Sequence, residues 1–264
     1  MNLEQITKGV IHISEEIGSF LQRQKLQSED IESKSLNNLV SYVDKQAEKQ
    51  FVEALKNLIP QAGFIAEEGT GEAVEGGLNW IIDPLDGTTN YIHELPFYCT
   101  SVALISDKKL LLGVIHDPNH KHSFYAWDQG GAYLNGQAIH VSEERKLSAS
   151  LLATGFPYDD FGRQEPYMEL LKEVTQHTRG IRRLGSAALD LAYVAWGKFD
   201  LYYEYGLNPW DVAAGICIVK EAGGQTSAFH TNGDPLFGDD IVSSNGFIHQ
   251  AFMKKVHNYF PTQS

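Results

Sequence analysis

Asp83 and Asp86 stand three residues apart in the run "IIDPLDGTTN", residues 81–90, with Pro84 and Leu85 between them. Proline supplies no ladder N–H, so the apolar strand is expected to end at Ile81 and Ile82, and Asp86-Gly87 reads as a turn. Across that bend both carboxylates can face one side, with the Leu85 carbonyl released from any ladder. The same residue types also punctuate ordinary loops. Upstream, "FIAEEGTG" sets Glu67 and Glu68 between an apolar strand and a glycine-rich stretch, a placement that equally suits a solvated turn. Downstream, "NPWDVAAG" places Asp211 in the first turn of a helix begun by Pro209, where a negative charge by itself contributes up to ~1 kcal/mol. Hard divalent cations take oxygen ligands, and Mg²⁺ prefers one or two carboxylates together with water and phosphate. Gly87, Thr88 and Thr89 can turn their backbone amides into the same space, and Gly87 lets an anion approach the backbone closely. Acids for a metal and amides for a phosphate, brought into one cleft, describe metal-assisted hydrolysis of a phosphate ester.

The elements around these residues alternate. Residues 3 to 24 carry Leu3, Ile6, Val10, Ile13, Ile17 and Leu21 at helical spacing, and 36 to 58 repeat the pattern through Val40, Val43, Ala47, Phe51, Leu55 and Leu58 until Pro60. The polar segment 27–38 between them reads as an exposed loop containing Lys34. Short runs rich in Ile, Val, Tyr and Phe follow, with a strand meander over 99–105, 110–116 and 123–127. The second half reads as strand 150–154, helix 162–176, helix 185–196, strand 199–204, helix 209–222 and strand 241–244. Helices layered on mixed sheets are expected, an α/β (α+β) fold. A subdivision into 1–145 and 146–264 falls in the charged "SEERK", with the halves closely packed as one domain.

Bulk composition narrows the partners. The chain has 264 residues, 42% hydrophobic, and a formal net charge of −13 from 21 Lys plus Arg against 34 Asp plus Glu. Such a surface disfavours nucleic acid and anionic membrane, whose binding rests on basic residues. Cys99 and Cys217 lie far apart among apolar neighbours and match no metal-binding pair spacing, which suits reduced core thiols. No stretch approaches the roughly 20 apolar residues of a membrane span, and the N-terminal residues lack a signal-peptide core. A cytoplasmic protein is expected.

The order of the acid pair, "WIIDPLDGTTNYIH", "GIRRLGSAALD" and "YYEYGLNPWDVAAGICIVKEAGG" resembles the inositol monophosphatase family of Mg²⁺-dependent, lithium-sensitive phosphatases over nearly the whole chain. Ala66 replaces the glycine many members have before the acid pair, and Leu85 replaces a more usual isoleucine. The resemblance implies a layered αβαβα sandwich and two or three Mg²⁺ ions. It implies Glu67, Asp83 and the Leu85 carbonyl at the first ion, Asp83, Asp86 and Asp211 at the second, and Glu67 reaching a weaker third through water. Glu67 and Thr88 would orient the attacking water, with Asp44 nearby either as part of the machinery or as a plain polar-face residue. Asp86, Gly87 and Thr88 would surround the phosphate. In-line attack by metal-activated water, without a covalent phosphoenzyme, is the implied reaction. Lys34 would be a mobile-loop cation near the third ion or an ordinary solvated lysine.

For the leaving group, the resemblance points to Glu204 as acceptor for polyol hydroxyls, with Ala187, Asp211 and Arg183 beside it and Arg182 an alternative to Arg183. Arg183 equally suits a structural salt bridge or subunit contact. Asp190 reads as a helix-interior partner for an arginine, and His93 as structural. Tyr202-Tyr203 and Phe97-Tyr98 read as core and interface. The implied activity is hydrolysis of inositol 1-phosphate by a homodimer. The alternatives are a broader sugar or fructose 1,6-bisphosphate phosphatase, an NADP(H) or 3′-phosphoadenosine phosphatase, and a regulatory binding protein on the same fold.

Overall fold

The computed structural model describes residues 1–24, 31–33, 39–157 and 161–261. Lys34 lies outside them. The elements run α1 (Leu3–Arg23), β1 (Ile31–Ser33), β2 (Leu39–Ser41), α2 (Tyr42–Leu58), β3 (Gly63–Ala66), β4 (Leu78–Asp86), α3 (Thr88–Ile92), β5 (Cys99–Ser106), β6 (Lys109–Asp117), β7 (His122–Trp127), β8 (Gly131–Leu134) and β9 (Gln137–Ile139). They continue with β10 (Leu151–Thr154), α4 (Gln164–His177), β11 (Gly180–Arg182), α5 (Ala187–Ala195), β12 (Leu201–Tyr205), α6 (Pro209–Glu221), β13 (Gln225–Ser227), β14 (Asp240–Ser244) and α7 (His249–Tyr259).

Side-chain alternation on the strands sorts the molecule into five layers. On β4, Trp80 and Ile82 face α1 and α2, whereas Ile81 faces α5 and α6. On β12, Tyr202 points to α5 and α6, while Leu201, Tyr203 and Tyr205 point to α4 and α7. The order is therefore α1/α2, a seven-stranded sheet β3 to β9 in chain order, α5/α6, a five-stranded sheet β11-β10-β12-β14-β13, and α4/α7. This is the layered αβαβα arrangement expected. Each fully buried aliphatic or aromatic side chain in these layers contributes roughly 1.5–3 kcal/mol. Among the described residues no helix is long and apolar enough to cross a membrane.

Three readings of the sequence need correction. The second helix starts at Tyr42, not at 36, because Leu39–Ser41 pairs antiparallel with Ile31–Ser33; the polar segment thus holds a strand where a loop was expected. The strand carrying Asp83 does not end at Ile82. β4 runs on to Asp86, with its register against β5 shifting between Asp83 (opposite Ser101) and Asp86 (opposite Cys99). That irregularity accommodates Pro84, since a bulge leaves a residue out of the ladder. The short strands β8, β9, β11 and β13 and the helix α7 also carry no counterpart in the sequence reading.

The site elements meet where strands end. β3 and β4 pair in parallel, with Ala66 opposite Ile82, so their carboxyl ends bring Glu67 and Asp83 to the same edge. α6, lying between the two sheets, begins at that edge, and the Ser101 hydroxyl on β5 donates to the Trp210 carbonyl at 3.3 Å.

Candidate active site

A cleft lies at this edge, lined by Glu67, Asp83, Leu85, Asp86, Gly87 and Thr88 from the large sheet and by Gly155, Arg183, Ser186, Ala187, Asp190, Glu204 and Asp211 from the other half. Every carboxylate that the resemblance assigns to a metal therefore faces one cavity. Each arrives by a different device.

Asp83, 2% exposed, turns back and accepts the Leu85 N–H at 2.9 Å. Asp86 reaches across to the start of α5, where its Oδ2 accepts from the Ser186 hydroxyl at 2.6 Å and from the Ala188 N–H at 2.7 Å. Ser186 meanwhile caps α5 by accepting the Leu189 N–H. Asp211 closes a capping box with Asn208, its Oδ2 accepting the Asn208 N–H at 2.6 Å. The helix-start role of Asp211 and its place in the cleft thus coexist.

Electrostatics register the crowding. Desolvation pushes the Asp83 carboxyl well above the usual carboxylate range, and the charges of Glu67, Asp86 and Asp211 push it further. Asp211 is raised likewise, by desolvation first and then by Asp86 and Glu67. Asp86 rises to about 6 through desolvation, held down by its bonds to Ser186, Ala188 and Ala187 and by the Arg183 charge. Like charges in a partly dry cleft repel strongly unless a cation intervenes. Among the described residues no three acidic, histidine or cysteine side chains are already drawn to the spacing of a closed metal group. The donor set nevertheless fits a hard cation: carboxylate oxygens and the Leu85 carbonyl, with no cysteine or histidine among the described residues that line the cleft. Cys99, buried and unbonded to any other cysteine, lies behind Asp86 with its Sγ 3.5 Å from the Ser186 hydroxyl.

The turn after Asp86 is shaped by Gly87. It has φ 93°, and a side chain there would come within 2.8 Å of the Phe97 carbonyl, so only glycine fits. Thr88 then opens α3, and its hydroxyl lies 3.1 Å from Asp44 Oδ1 and 3.0 Å from the Leu85 carbonyl. Asp44, 1% exposed, is therefore not a polar-face residue of α2 but a buried acid touching Thr88.

On the other wall, Glu204 is buried and its Oε2 accepts the Tyr202 hydroxyl at 2.5 Å. Burial raises its pKa to about 7 against the pull of Tyr202 and Arg183. Gly155 makes the room: a methyl group there would lie 2.0 Å from Glu204 Oε2. Asp190 is buried near Arg183 and Glu204, but its Oδ1 has no hydrogen-bond partner, so the arginine pairing expected of it is at most through space. Arg183 lines the cleft; Arg182 bonds the carbonyl of Ile181 and does not. His93 is an exposed cap residue of α3, away from the cavity. Tyr202 and Tyr203 are core, Tyr98 is buried and Phe97 half-buried.

Three participants were not picked out from sequence. Ser186 carries the N-cap signal of "GSAAL", which could have drawn attention to it. Asn90 is buried and donates through Nδ2 to the carbonyls of Phe97 at 2.7 Å and Leu184 at 2.8 Å, tying the Thr88 turn to the Arg183 loop. Glu48, one helical turn after Asp44, accepts the amides of Glu68 and Thr70.

Known proteins resemble the chain over most of its length. The chain is 40% identical over 250 residues to the inositol-1-monophosphatase of Synechocystis sp., covering 94% of this chain and 86% of that one. It is 37% identical over 230 residues to the "Fructose-1,6-bisphosphatase/inositol-1-monophosphatase" of Thermotoga maritima, covering 87% of each. The crystal structure of the extragenic suppressor protein suhB from Bartonella henselae superposes with a TM-score of 0.89 at 34% identity, over 96% of this chain and 98% of that one. The model of the inositol monophosphatase family matches residues 2–260, and the chain belongs to that family of phosphatases.

Proposed function

We propose that the protein hydrolyses a small polyol phosphomonoester, foremost inositol 1-phosphate, with two or three Mg²⁺ ions held by Glu67, Asp83, Asp86, Asp211 and the Leu85 carbonyl. The observation that carries this reading is the convergence of those four acids on the cleft that Glu204 also lines. Bound there, Mg²⁺ would supply Lewis acidity, lowering the pKa of water and offsetting charge on the leaving oxygen. The residues of the chain supply the rest. Thr88 has one hydroxyl proton; donated to Asp44 in a hydrogen bond, it leaves the Thr88 oxygen to accept a hydrogen bond from one O–H of the attacking water, while Glu67 takes the other proton as general base and a proton from solvent reaches the departing alkoxide. The amides of Gly87 and Thr88 hold the phosphate for in-line attack. Glu204, Arg183 and the Ala187 backbone grip the polyol, and burial of Glu204 makes a missing hydroxyl costly.

A second reading is favoured by the double name of the Thermotoga maritima relative: fructose 1,6-bisphosphate as an additional or preferred substrate. Comparing kcat/KM for inositol 1-phosphate, fructose 1,6-bisphosphate, NADP and 3′-phosphoadenosine 5′-phosphate separates them. The highest value for the inositol ester is expected; a clear preference for a nucleotide would overturn the assignment. A homodimer in the cytoplasm belongs to the same reading, and light scattering and cell fractionation test it.

A further inference from the structure

Glu48 is a wholly buried carboxylate, 0% exposed, that the proposed chemistry leaves without a task. It sits on α2 among Ala47, Phe51, Val52 and Leu55, all buried. A carboxylate in such a place is costly unless both oxygens are bonded, and an apolar residue of similar size would serve stability as well. Both oxygens are bonded, and to one short stretch of backbone: Oε2 accepts the Glu68 N–H at 2.7 Å and Oε1 the Thr70 N–H at 2.8 Å. Bonds of this kind to an acidic oxygen are among the stronger ones in proteins.

The stretch so held is the one that follows Glu67. The Glu67 N–H donates to the Ile82 carbonyl on β4 at 3.3 Å, so Glu67 is fixed on its upstream side by the sheet and on its downstream side by α2. Backbone bonds from the Gly69 N–H to the Ala66 carbonyl at 3.2 Å and from the Phe64 N–H to the Glu72 carbonyl at 2.9 Å close the turn around it, with Gly69 and Gly71 at positive φ, 79° and 99°, but Glu48 supplies the side-chain tie to Glu68 and Thr70. Glu48 also shares its helix face with Asp44, four residues earlier, and Asp44 meets the Thr88 hydroxyl at 3.1 Å. One rigid helix therefore touches both loops of the site.

We propose that Glu48 is a positioning residue: by holding the amides of Glu68 and Thr70 it aims Glu67 at the cation site, and with Asp44 it makes α2 the common strut of the Glu67 and Thr88 loops. The proposal rests on the metal-dependent reading above. Residues that orient metal ligands from behind typically change metal affinity by about 10–100-fold when altered.

Two variants test it from opposite partners. Glu48→Gln keeps the shape but turns an NH₂ toward a backbone donor, and Thr70→Pro deletes one donor without touching the buried acid. Mn²⁺ binding followed by calorimetry should weaken at least about tenfold in Glu48→Gln and in the same direction, by less, in Thr70→Pro. Amide hydrogen exchange at Glu68 should quicken in Glu48→Gln, while kcat at saturating metal should stay within about threefold, a split that general loss of stability would not produce. Glu53→Gln, on an exposed position of α2, should change none of these. Mn²⁺ affinity within twofold of wild type in both variants would overturn the proposal, and if Glu48→Gln fails to fold, wild-type affinity in Thr70→Pro would do the same. Wild-type protein that protects the Glu68 and Thr70 amides yet binds no Mn²⁺ would overturn the metal reading, and this role with it.

Discussion

Asp86 and Ser186, one hundred residues apart in the chain, are joined by a 2.6 Å hydrogen bond that links the large sheet to the first turn of α5. The bond fixes one oxygen of Asp86 and leaves the other for the cleft. It also means that the acid lying centrally in the site is positioned by the half of the chain that holds the leaving-group residues.

Asp86→Asn keeps the shape and an acceptor for the Ala188 amide, so the fold should survive. Loss of the charge should lower kcat by about a hundred- to thousandfold, the range seen when one charge-stabilising group is removed from an active site. Steady-state kinetics with a circular dichroism control checks this; activity within tenfold of wild type would count against Asp86 as a ligand.

Gly155→Ala places a methyl group 2.0 Å from Glu204 Oε2, so Glu204 must move. Overpacking of this sort costs roughly 1–3 kcal/mol. The expected signature is selective: KM for inositol 1-phosphate rises strongly, while turnover of a phosphomonoester without ring hydroxyls changes little. Glu204→Gln should shift the same ratio in the same direction. Equal losses on both substrates would argue against recognition by Glu204.

Asn90→Ala leaves the carbonyls of Phe97 and Leu184 without their buried donor, about 1–3 kcal/mol for each group so orphaned. Lower stability in urea and a higher KM, with kcat at saturation less affected, are expected, because the Arg183 loop loses its tie to the Thr88 turn. Unchanged KM would show that the tie is purely structural.

These residues divide according to how far their partners lie in sequence. Asp83, Asp86 and Asp211 were legible because a proline, a glycine and a helix start stand beside them and declare how the backbone turns. The α1 and α2 stripes were legible for the same local reason, since a helix buries a face that its own periodicity writes out. Asn90 acts on Leu184 and Glu48 on Glu68 and Thr70, and nothing near either residue announces a partner so distant. The β1–β2 pairing was hidden because its strands carry polar residues and only three positions each. The continuation of β4 past Pro84 was hidden because a register shift against β5, not a local propensity, permits it.

His249 offers a test of the C-terminal packing. It is buried between the Ser227 and Ser244 hydroxyls, each 2.9 Å away, and burial lowers its pKa to about 4. In the unfolded chain the ring takes a proton near pH 6.5, whereas the folded protein resists until about pH 4, so the unfolded state binds the extra proton in that window. Stability from this group is therefore full above pH 6.5 and falls as pH drops toward 4, by about 3 kcal/mol at most. Denaturant titrations at pH 7 and 4.5 on wild type and His249→Gln should show a shallower pH dependence in the variant; parallel curves would contradict the burial argument.

The most direct measurement is phosphate release from inositol 1-phosphate by metal-stripped protein, before and after Mg²⁺ is returned. The arrangement of Glu67, Asp83, Asp86 and Asp211 predicts negligible turnover without the ion and full recovery with it. Turnover that is indifferent to Mg²⁺, or none with Mg²⁺ restored to folded protein, would contradict the account.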